Sequence, residues 1–205
     1  SFSIQKGESF VLIGPSGCGK TTTIKLLNRL LKPTDGVILY KQKNTKDYDE
    51  HNLRREFGYV LQQIALFPHL NVEENISIVP ELKKWNKVRI KERVTELLEL
   101  VKLNPEEYST RAVSELSGGQ QQRVGVARAL AGDPEILLMD EPFSALDPIT
   151  REQLQKDLKS LKDKINKTIL FVTHDLEEAF YLGDRIGIMH DGELVQVGTK
   201  DEILN

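Results

Sequence analysis

Three features that are common in other protein classes are scarce in this sequence. Cys18 is the only cysteine among 205 residues, so the chain cannot form an internal disulfide, which fits a reducing compartment. No apolar run approaches the ~20 residues that a membrane-spanning helix needs. The 28 basic and 31 acidic residues give a net charge of −3, which offers no electrostatic case for nucleic acid as a partner. What remains is a chain long enough for one or two domains with a real core.

Strand and helix signals alternate along most of the chain. Strands are predicted at 1–4, 9–13, 37–40, 57–61, 135–140, 168–173 and 185–190, and Asp191-Gly192 is a hairpin turn signal before a strand at 193–198. The polar segment 41–49 is predicted to be a loop. From 72 to about 110, apolar residues recur at helical spacing and strand signals are scarce, which predicts a helical insertion. We therefore expect an α/β fold with a mainly parallel sheet.

The most informative motif follows the strand predicted at 9–13. Residues 14–21 read GPSGCGKT and fit the phosphate-cradling loop G-x-x-x-x-G-K-[ST], with a helix predicted to begin near Lys20. Glycines let backbone N–H groups converge on an anion, Lys20 places a charge on the β- and γ-phosphates, and the Thr21 hydroxyl can bind Mg²⁺. The alternative is an ordinary glycine-rich turn. The candidate nucleotide-binding residues here are Gly14, Pro15, Ser16, Gly17, Cys18, Gly19, Lys20, Thr21 and Thr22.

Two acidic residues end the apolar strand predicted at 135–140. Asp140 lies at its carboxyl end, where α/β proteins bind ligands, and is the natural partner for Mg²⁺, directly or through water. Glu141 is one residue farther and can reach a water beyond the γ-phosphate, which it can orient and deprotonate. Taken alone, the pair could equally be a strand cap and a solvated acid.

A second anion-binding helix start is predicted at 117–120, with the sequence SGGQ. Ser117 is a good N-cap, and Gly118 and Gly119 expose backbone amides before an apolar helical stripe. Because the first loop already cradles one phosphate chain, this site could serve a nucleotide held by another subunit, which implies a head-to-tail dimer. As a bare pattern it is only a capped helix.

Taken together, these motifs resemble the ATP-binding cassette family. The signature LSGGQ at 116–120, its spacing from the other motifs, Gln62, SALD at 144–147 and His174 carry the likeness, which covers essentially the whole chain. The resemblance implies that Asp140 supports the metal, that Glu141 is the general base and that His174 contacts the γ-phosphate. It further implies a P-loop NTPase core with a mainly parallel sheet and a helical subdomain of the cassette type.

The remaining site residues rest on the resemblance as well. It implies that Gln62 contacts Mg²⁺ or the water and reports to a partner, and that Asp147 lies at a dimer interface. It places the opposite subunit's nucleotide against a set of four residues, which comprises Ser117, Gly118, Gly119 and Gln120. Other interpretations stay open: Gln62 could be a surface polar residue, and His174 could cap its strand.

The likeness also predicts domains and partners. It gives one nucleotide-binding domain over 1–205, with a RecA-like core at 1–71 and 111–205 and a helical subdomain at 72–110. Because the chain begins without Met and ends inside a probable helix, we expect a fragment that lacks N-terminal strands, the adenine-stacking residue and the C-terminal end. The expected cofactors are ATP and Mg²⁺. The expected partners are a second copy and integral membrane permease subunits, at the cytoplasmic face of the membrane.

A finer resemblance concerns the transporter type. Residues 67–76 (FPHLNVEENI) resemble bacterial importers, and 21–30 and 61–67 resemble the ATPase subunits of glycine betaine, carnitine and choline uptake systems. This implies a role in osmoprotectant import. The alternatives are a cassette ATPase that serves another small solute and a cassette ATPase that has no transport role.

Overall fold

The computed structural model describes residues 1–63 and 65–204, and its centre is a six-stranded sheet in the order β4-β5-β6-β1-β7-β8. All neighbours are parallel except the β7–β8 hairpin. The strands are β1 (Ser9–Ile13), β4 (Phe57–Val60), β5 (Ile136–Asp140), β6 (Thr168–Thr173), β7 (Arg185–His190) and β8 (Glu193–Gly198). Strands β1, β5 and β6 are almost wholly buried, because helices cover both faces of the sheet.

Nine helices surround or extend this sheet within the described residues. They are α1 (Lys20–Leu27), α2 (Glu50–Arg55), α3 (Val72–Leu82), α4 (Lys87–Leu100), α5 (Pro105–Tyr108), α6 (Gly118–Ala131), α7 (Pro148–Ile165), α8 (Leu176–Leu182) and α9 (Lys200–Leu204), with 3-10 turns at Thr45–Asp47 and Val113–Glu115. Side-chain caps begin most of them, and a reciprocal capping box at Asn71 and Glu74 begins α3. The expected α/β fold with a mainly parallel sheet is confirmed.

Four strand predictions agree with the structure to the residue: those at 9–13, 168–173, 185–190 and 193–198. The strand predicted at 37–40 is shorter and lies outside the main sheet, where β2 (Leu39–Tyr40) pairs with β3 (Lys43–Asn44). The prediction of a loop over 41–49 was therefore wrong in part. Lys41 and Gln42 both have positive φ, as a two-residue hairpin loop requires, but neither is a residue type that signals such a turn.

Residues 1–4, predicted as a strand, form none in the structure. No described segment pairs with them, so their alternating pattern reflects packing instead of a hydrogen-bonded ladder. The Phe2 ring stacks on Phe10 at a centroid distance of 5.1 Å, and Ile4 packs on the same side of the sheet.

The segment predicted as a helical insertion contains α3, α4 and α5. Its two ends meet: the Val72 N–H donates to the Arg111 carbonyl at 3.1 Å, and the Glu73 N–H donates to that of Ser109 at 2.9 Å. The segment therefore leaves the core and returns at one point. Helix α6 packs on α3 and α4 on one side and on β4 on the other, so it joins the helical layer to the sheet.

Gly58 permits the closest contact between this joining helix and the sheet. A Cβ at this position would lie 2.3 Å from the Ala129 carbonyl oxygen, whereas a Cβ at Gly125 of α6 would meet nothing within 4 Å. We expect Gly58→Ala to lower the free energy of unfolding by about 1–3 kcal/mol, because β4 and α6 must separate. The matched change Gly125→Ala should raise it by about 0.5–1 kcal/mol, because it replaces a helical glycine. Urea denaturation of both variants checks this, and equal effects would contradict it.

Candidate nucleotide-binding and catalytic site

The loop at 14–19 turns from β1 into α1 against the β7–β8 hairpin. Gly17 and Gly19 have φ of 85° and 102°, a region that side chains disfavour. A Cβ at Gly14 would lie 2.2 Å from the Met189 carbonyl oxygen, so only glycine allows this approach. The Gly192 N–H donates to the Cys18 carbonyl at 3.1 Å and fixes the hairpin to the loop.

Lys20 is buried beneath this loop, with 4% of its surface exposed. Its Nζ donates to the carbonyl oxygens of Gly14 at 2.7 Å and Pro15 at 2.9 Å, and lies 3.9 Å from Glu141 Oε1. A buried ammonium that has only carbonyls as close partners is poorly compensated. The site is therefore suited to an anion such as a phosphate.

Thr21 and Asp140, each predicted separately as a Mg²⁺ ligand, contact each other directly. The Thr21 hydroxyl donates to Asp140 Oδ1 at 2.8 Å, and the Tyr59 hydroxyl lies 3.4 Å from Oδ2. Burial raises the pKa of Asp140, which the hydrogen bonds from Thr21 and Tyr59 partly offset. A hydroxyl and a carboxylate are hard oxygen donors that fit Mg²⁺, which commonly takes one or two protein ligands and completes its shell with water and phosphate.

Glu141 and His174 leave two neighbouring strands at the same edge of the sheet. His174 Nδ1 lies 3.0 Å from Glu141 Oε2. Glu141 has a positive φ of 43°, held by its N–H bond to the Val172 carbonyl at 2.9 Å and by Ser144, whose N–H and hydroxyl donate to the Glu141 carbonyl. A non-glycine residue in this region costs energy, and such strain clusters at functional sites.

The residues at 117–120 begin α6 as predicted. Ser117 and Gln120 form a reciprocal capping box, and Gly119 packs so closely on α7 that a Cβ would lie 2.6 Å from Thr150 Cγ2. Asp147 caps α7 by accepting the Thr150 N–H at 3.1 Å, and its hydrogen bonds with Thr150 lower its pKa.

Not all predicted site residues converge. Within 1–63 and 65–204, no hydrogen bond or ion pair joins residues 117–120 or Asp147 to the loop at 14–22, which remains one group with Asp140, Glu141 and His174. Gln62 is exposed two residues after β4 and forms no hydrogen bond to either carboxylate. Ile64, part of the 61–67 segment used above, and Asn205 lie outside the described residues.

Two residues at or near this site escaped the sequence analysis. Tyr59 touches Asp140 from the adjacent strand β4, and burial raises its pKa. Asn75 is fully buried in α3, where its Oδ1 accepts the Phe67 N–H at 2.8 Å and its amide donates to the Phe67 carbonyl at 3.2 Å. A polar residue on the apolar face of α3 was the available signal in the sequence. Asn75 fixes the exposed loop that carries Phe67 and His69.

The raised pKa of Asp140 predicts a pH-dependent gain from Asp140→Asn. When folding raises the pKa of a carboxyl, the free energy of unfolding of the protein falls as pH rises through the unfolded-state and then the folded-state pKa. The asparagine keeps an acceptor for Thr21 without the buried charge, so the variant should have a higher urea midpoint than the parent at pH 7.5, and this gain should shrink at pH 4.

The exposed Asp163 of α7 supplies the control. Asp163→Asn should change stability by less than about 0.5 kcal/mol at either pH, as surface substitutions do. An Asp140→Asn gain that is the same at both pH values would show that relief of buried charge is not its cause.

The chain is similar to several known proteins. A family model described as ABC transporter matches residues 1–144. The chain is 58% identical over 201 residues to the glycine betaine/carnitine/choline transport ATP-binding protein OpuCA of Bacillus subtilis, covering 98% of this chain and 53% of that protein. It is 50% identical over 204 residues to the osmoprotectant import ATP-binding protein OsmV of Salmonella typhimurium, covering 100% and 53%. The chain thus spans about half the length of these relatives.

Solved structures share the fold. The dimeric post-hydrolysis state of the ATP-binding cassette MJ0796, bound to ADP and Pi, superposes with a TM-score of 0.84 at 37% identity and covers 97% of this chain and 88% of that one. The cbiO1 structure from Clostridium perfringens, part of the cbiONQ transporter complex, gives 0.90 at 29% identity, covering 99% and 81%. The resemblance predicted from the motifs is confirmed, and this chain belongs to the ABC transporter family.

Proposed function

We propose that this chain is the ATP-hydrolysing unit of a membrane transporter that takes up quaternary-amine osmoprotectants of the glycine betaine, carnitine and choline type. One observation carries the proposal: Lys20, Thr21, Asp140, Glu141 and His174 converge at the carboxyl ends of three adjacent parallel strands. The names of the relatives support the solute class.

Each residue has a role that its position supports. The N–H groups of the 14–19 loop and the Lys20 ammonium bind the phosphates of ATP, and Thr21 and Asp140 hold Mg²⁺, with Gln62 as a further ligand. The bound metal neutralises phosphate charge. Glu141 accepts the proton of the attacking water. His174 lies 3.0 Å from the Glu141 carboxylate, orients that carboxylate and contacts the γ-phosphate.

A second copy of the chain completes the site in this proposal. Ser117 and Gly118 are exposed and form no hydrogen bond to the chain's own phosphate loop within the described residues, so they are available to the nucleotide of an opposing subunit. Gly119, Gln120 and Asp147 fix the shape of this surface. We expect a head-to-tail pair, and the dimeric state of the structural neighbour supports an assembly of two copies.

No helix in the described parts of the chain is long and apolar enough to cross a bilayer. A membrane partner is part of this proposal, because the relatives are transport and import ATP-binding proteins. We assign its docking surface to residues 65–70, where the Phe67 ring is 45% exposed and lies against His69. The chain would then act peripherally at the cytoplasmic face. The helical subdomain at 72–110 moves against the core at 1–71 and 111–205, and the surface near Gln62 and residues 67–69 passes that motion to the membrane subunit.

The solute class is tested in the complete transporter. Reconstituted with its permease, the protein should hydrolyse ATP faster when glycine betaine, carnitine or choline is supplied, and an amino acid or a sugar should have no effect. Stimulation by a solute outside the quaternary amines would favour the alternative of an importer for another small molecule. A protein that purifies without any membrane partner would favour a cassette ATPase outside transport.

Glu141→Gln in the complete protein should bind Mg-ATP and hydrolyse it about 10²–10⁴-fold more slowly, because glutamine cannot accept the proton. The closed dimer should accumulate, since hydrolysis normally ends it, and its population should rise with protein concentration. Light scattering measures this. Adding Ser117→Arg should abolish the dimer, and a Glu141→Gln protein that stays monomeric at saturating Mg-ATP would remove the two-subunit site.

Phe67→Ser should separate hydrolysis from transport. The ring is exposed, so its loss should leave basal ATPase activity within about twofold of the parent, as expected for a surface change. Solute uptake by vesicles should fall at least about tenfold, the scale of losing a buried aromatic anchor at an interface. Tyr181→Ser, which removes a partly exposed ring on α8, is the control and should transport normally. Equal uptake in the two variants would place the docking surface elsewhere.

A further inference from the structure

A buried carboxylate lies beside the turn that carries His174. Glu178, in the first turn of α8, is only 5% exposed, and within the described residues no basic side chain forms an ion pair with it. Two neutral groups satisfy it instead: the Thr173 hydroxyl donates to Oε2 at 2.6 Å, and Gln155 Nε2 donates to Oε1 at 2.9 Å. Burying a charge in this way is costly, and an apolar residue of similar size is often the more stable choice. Stability alone therefore does not explain the residue.

The Thr173 hydroxyl holds the backbone on both sides of His174. It belongs to the last residue of β6, and its oxygen accepts the Asp175 N–H at 3.0 Å. Glu178 sets the orientation of this hydroxyl, because the donated hydrogen must point at its carboxylate. The His174 ring itself is half exposed, and its polar contact within the described residues is with Glu141. The direction of the ring is therefore governed by the two peptide units that flank it.

The second contact extends to another part of the proposed site. Gln155 lies on α7, the helix that Asp147 caps and whose Thr150 packs against Gly119. Through Gln155 and Thr173, the Glu178 carboxylate touches both α7 and the end of β6. A displacement of α7 would thus reach the His174 turn through two short hydrogen bonds.

We propose that Glu178 is a positioning residue that holds His174 against Glu141, acts through Thr173, and links this arrangement to α7 through Gln155. The role in hydrolysis rests on the ATPase function proposed above. The arrangement of the His174 turn does not depend on that function, and it can be measured without nucleotide.

The first test uses NMR of the nucleotide-free protein with labelled histidine. Glu141→Gln should shift the His174 imidazole signals, because the two side chains are in contact. Glu178→Leu should shift them too, and adding Glu141→Gln to it should then move them by less than a third of the original shift. Glu177→Leu, the same change one residue away on the exposed face, should leave them in place. A folded Glu178→Leu protein whose His174 signals match the parent would overturn the proposal.

The second test separates positioning from folding by kinetics. Glu178→Leu and Thr173→Val should each lower kcat for ATP by about 10–100-fold, the scale seen when groups that orient a reactive side chain are removed. The KM should change by less than about threefold, because the phosphate contacts of the 14–19 loop and of Lys20 are untouched. Thr173→Ser and Glu178→Gln, which keep the donor and an acceptor, should restore kcat to within about threefold of the parent.

Combination with His174→Ala decides whether the effect passes through His174. In that background Thr173→Val should cost no further kcat in single-turnover assays, whereas a purely structural role would lower it again and refute the proposal. Thr173→Val also serves if Glu178→Leu does not fold, because it removes the same hydrogen bond. A parent protein without ATP turnover would refute the ATPase function, while the histidine spectra would still decide the positioning role.

Discussion

A buried, under-compensated charge is the constraint on which the site depends. Lys20 is almost fully enclosed, and its closest partners are two carbonyl oxygens of the loop it supports. Asp140, also buried, has hydroxyls as its close partners. Neither group is paired with an opposite charge at hydrogen-bonding distance, so each gains most when a ligand of opposite sign arrives. The folded chain therefore has an anion-binding site at Lys20 beside a cation-binding site at Asp140.

The sheet makes this arrangement possible. The parallel strands β1, β5 and β6 end at the same edge of the sheet. Gly14, which begins the phosphate loop, follows β1, and the site residues Glu141 and His174 follow β5 and β6. Because the strands are buried on both faces, they leave the charged groups little freedom to relax. Strain is tolerated in return: Glu141 keeps a left-handed backbone that its neighbours fix by three hydrogen bonds.

Close backbone contacts set the remaining geometry. Gly14 lets the phosphate loop lie against β7, and Gly119 lets the start of α6 lie against α7. The first contact shapes the chain's own anion site. The second shapes the surface at residues 117–120, which forms no hydrogen bond or ion pair to the loop at 14–22 within the described residues. Glu178 adds a further connection, since its hydrogen bonds join α7 to the His174 turn.

Features that depend on local chemistry could be predicted from the sequence. Strand β1, the loop at 14–21 and the start of α1 follow from apolar, glycine and N-terminal helix signals within one stretch. Asp140 follows from its place at the carboxyl end of an apolar strand, and Glu141 from its place directly after it. The likeness of spaced motifs then predicted the family. None of this required knowledge of what each residue touches.

Tertiary structure alone decided the rest. The hydrogen-bond partners of Asp140 lie on α1 and β4, and one partner of Glu178 is Gln155 on α7. A buried polar residue such as Glu178 looks in sequence like a solvated one until its environment is known. Strand pairing decided that 1–4 form no strand, and two positive φ angles without glycine decided the β2–β3 hairpin. Long-range packing energies settle such features, and they depend on residues that the local pattern does not contain.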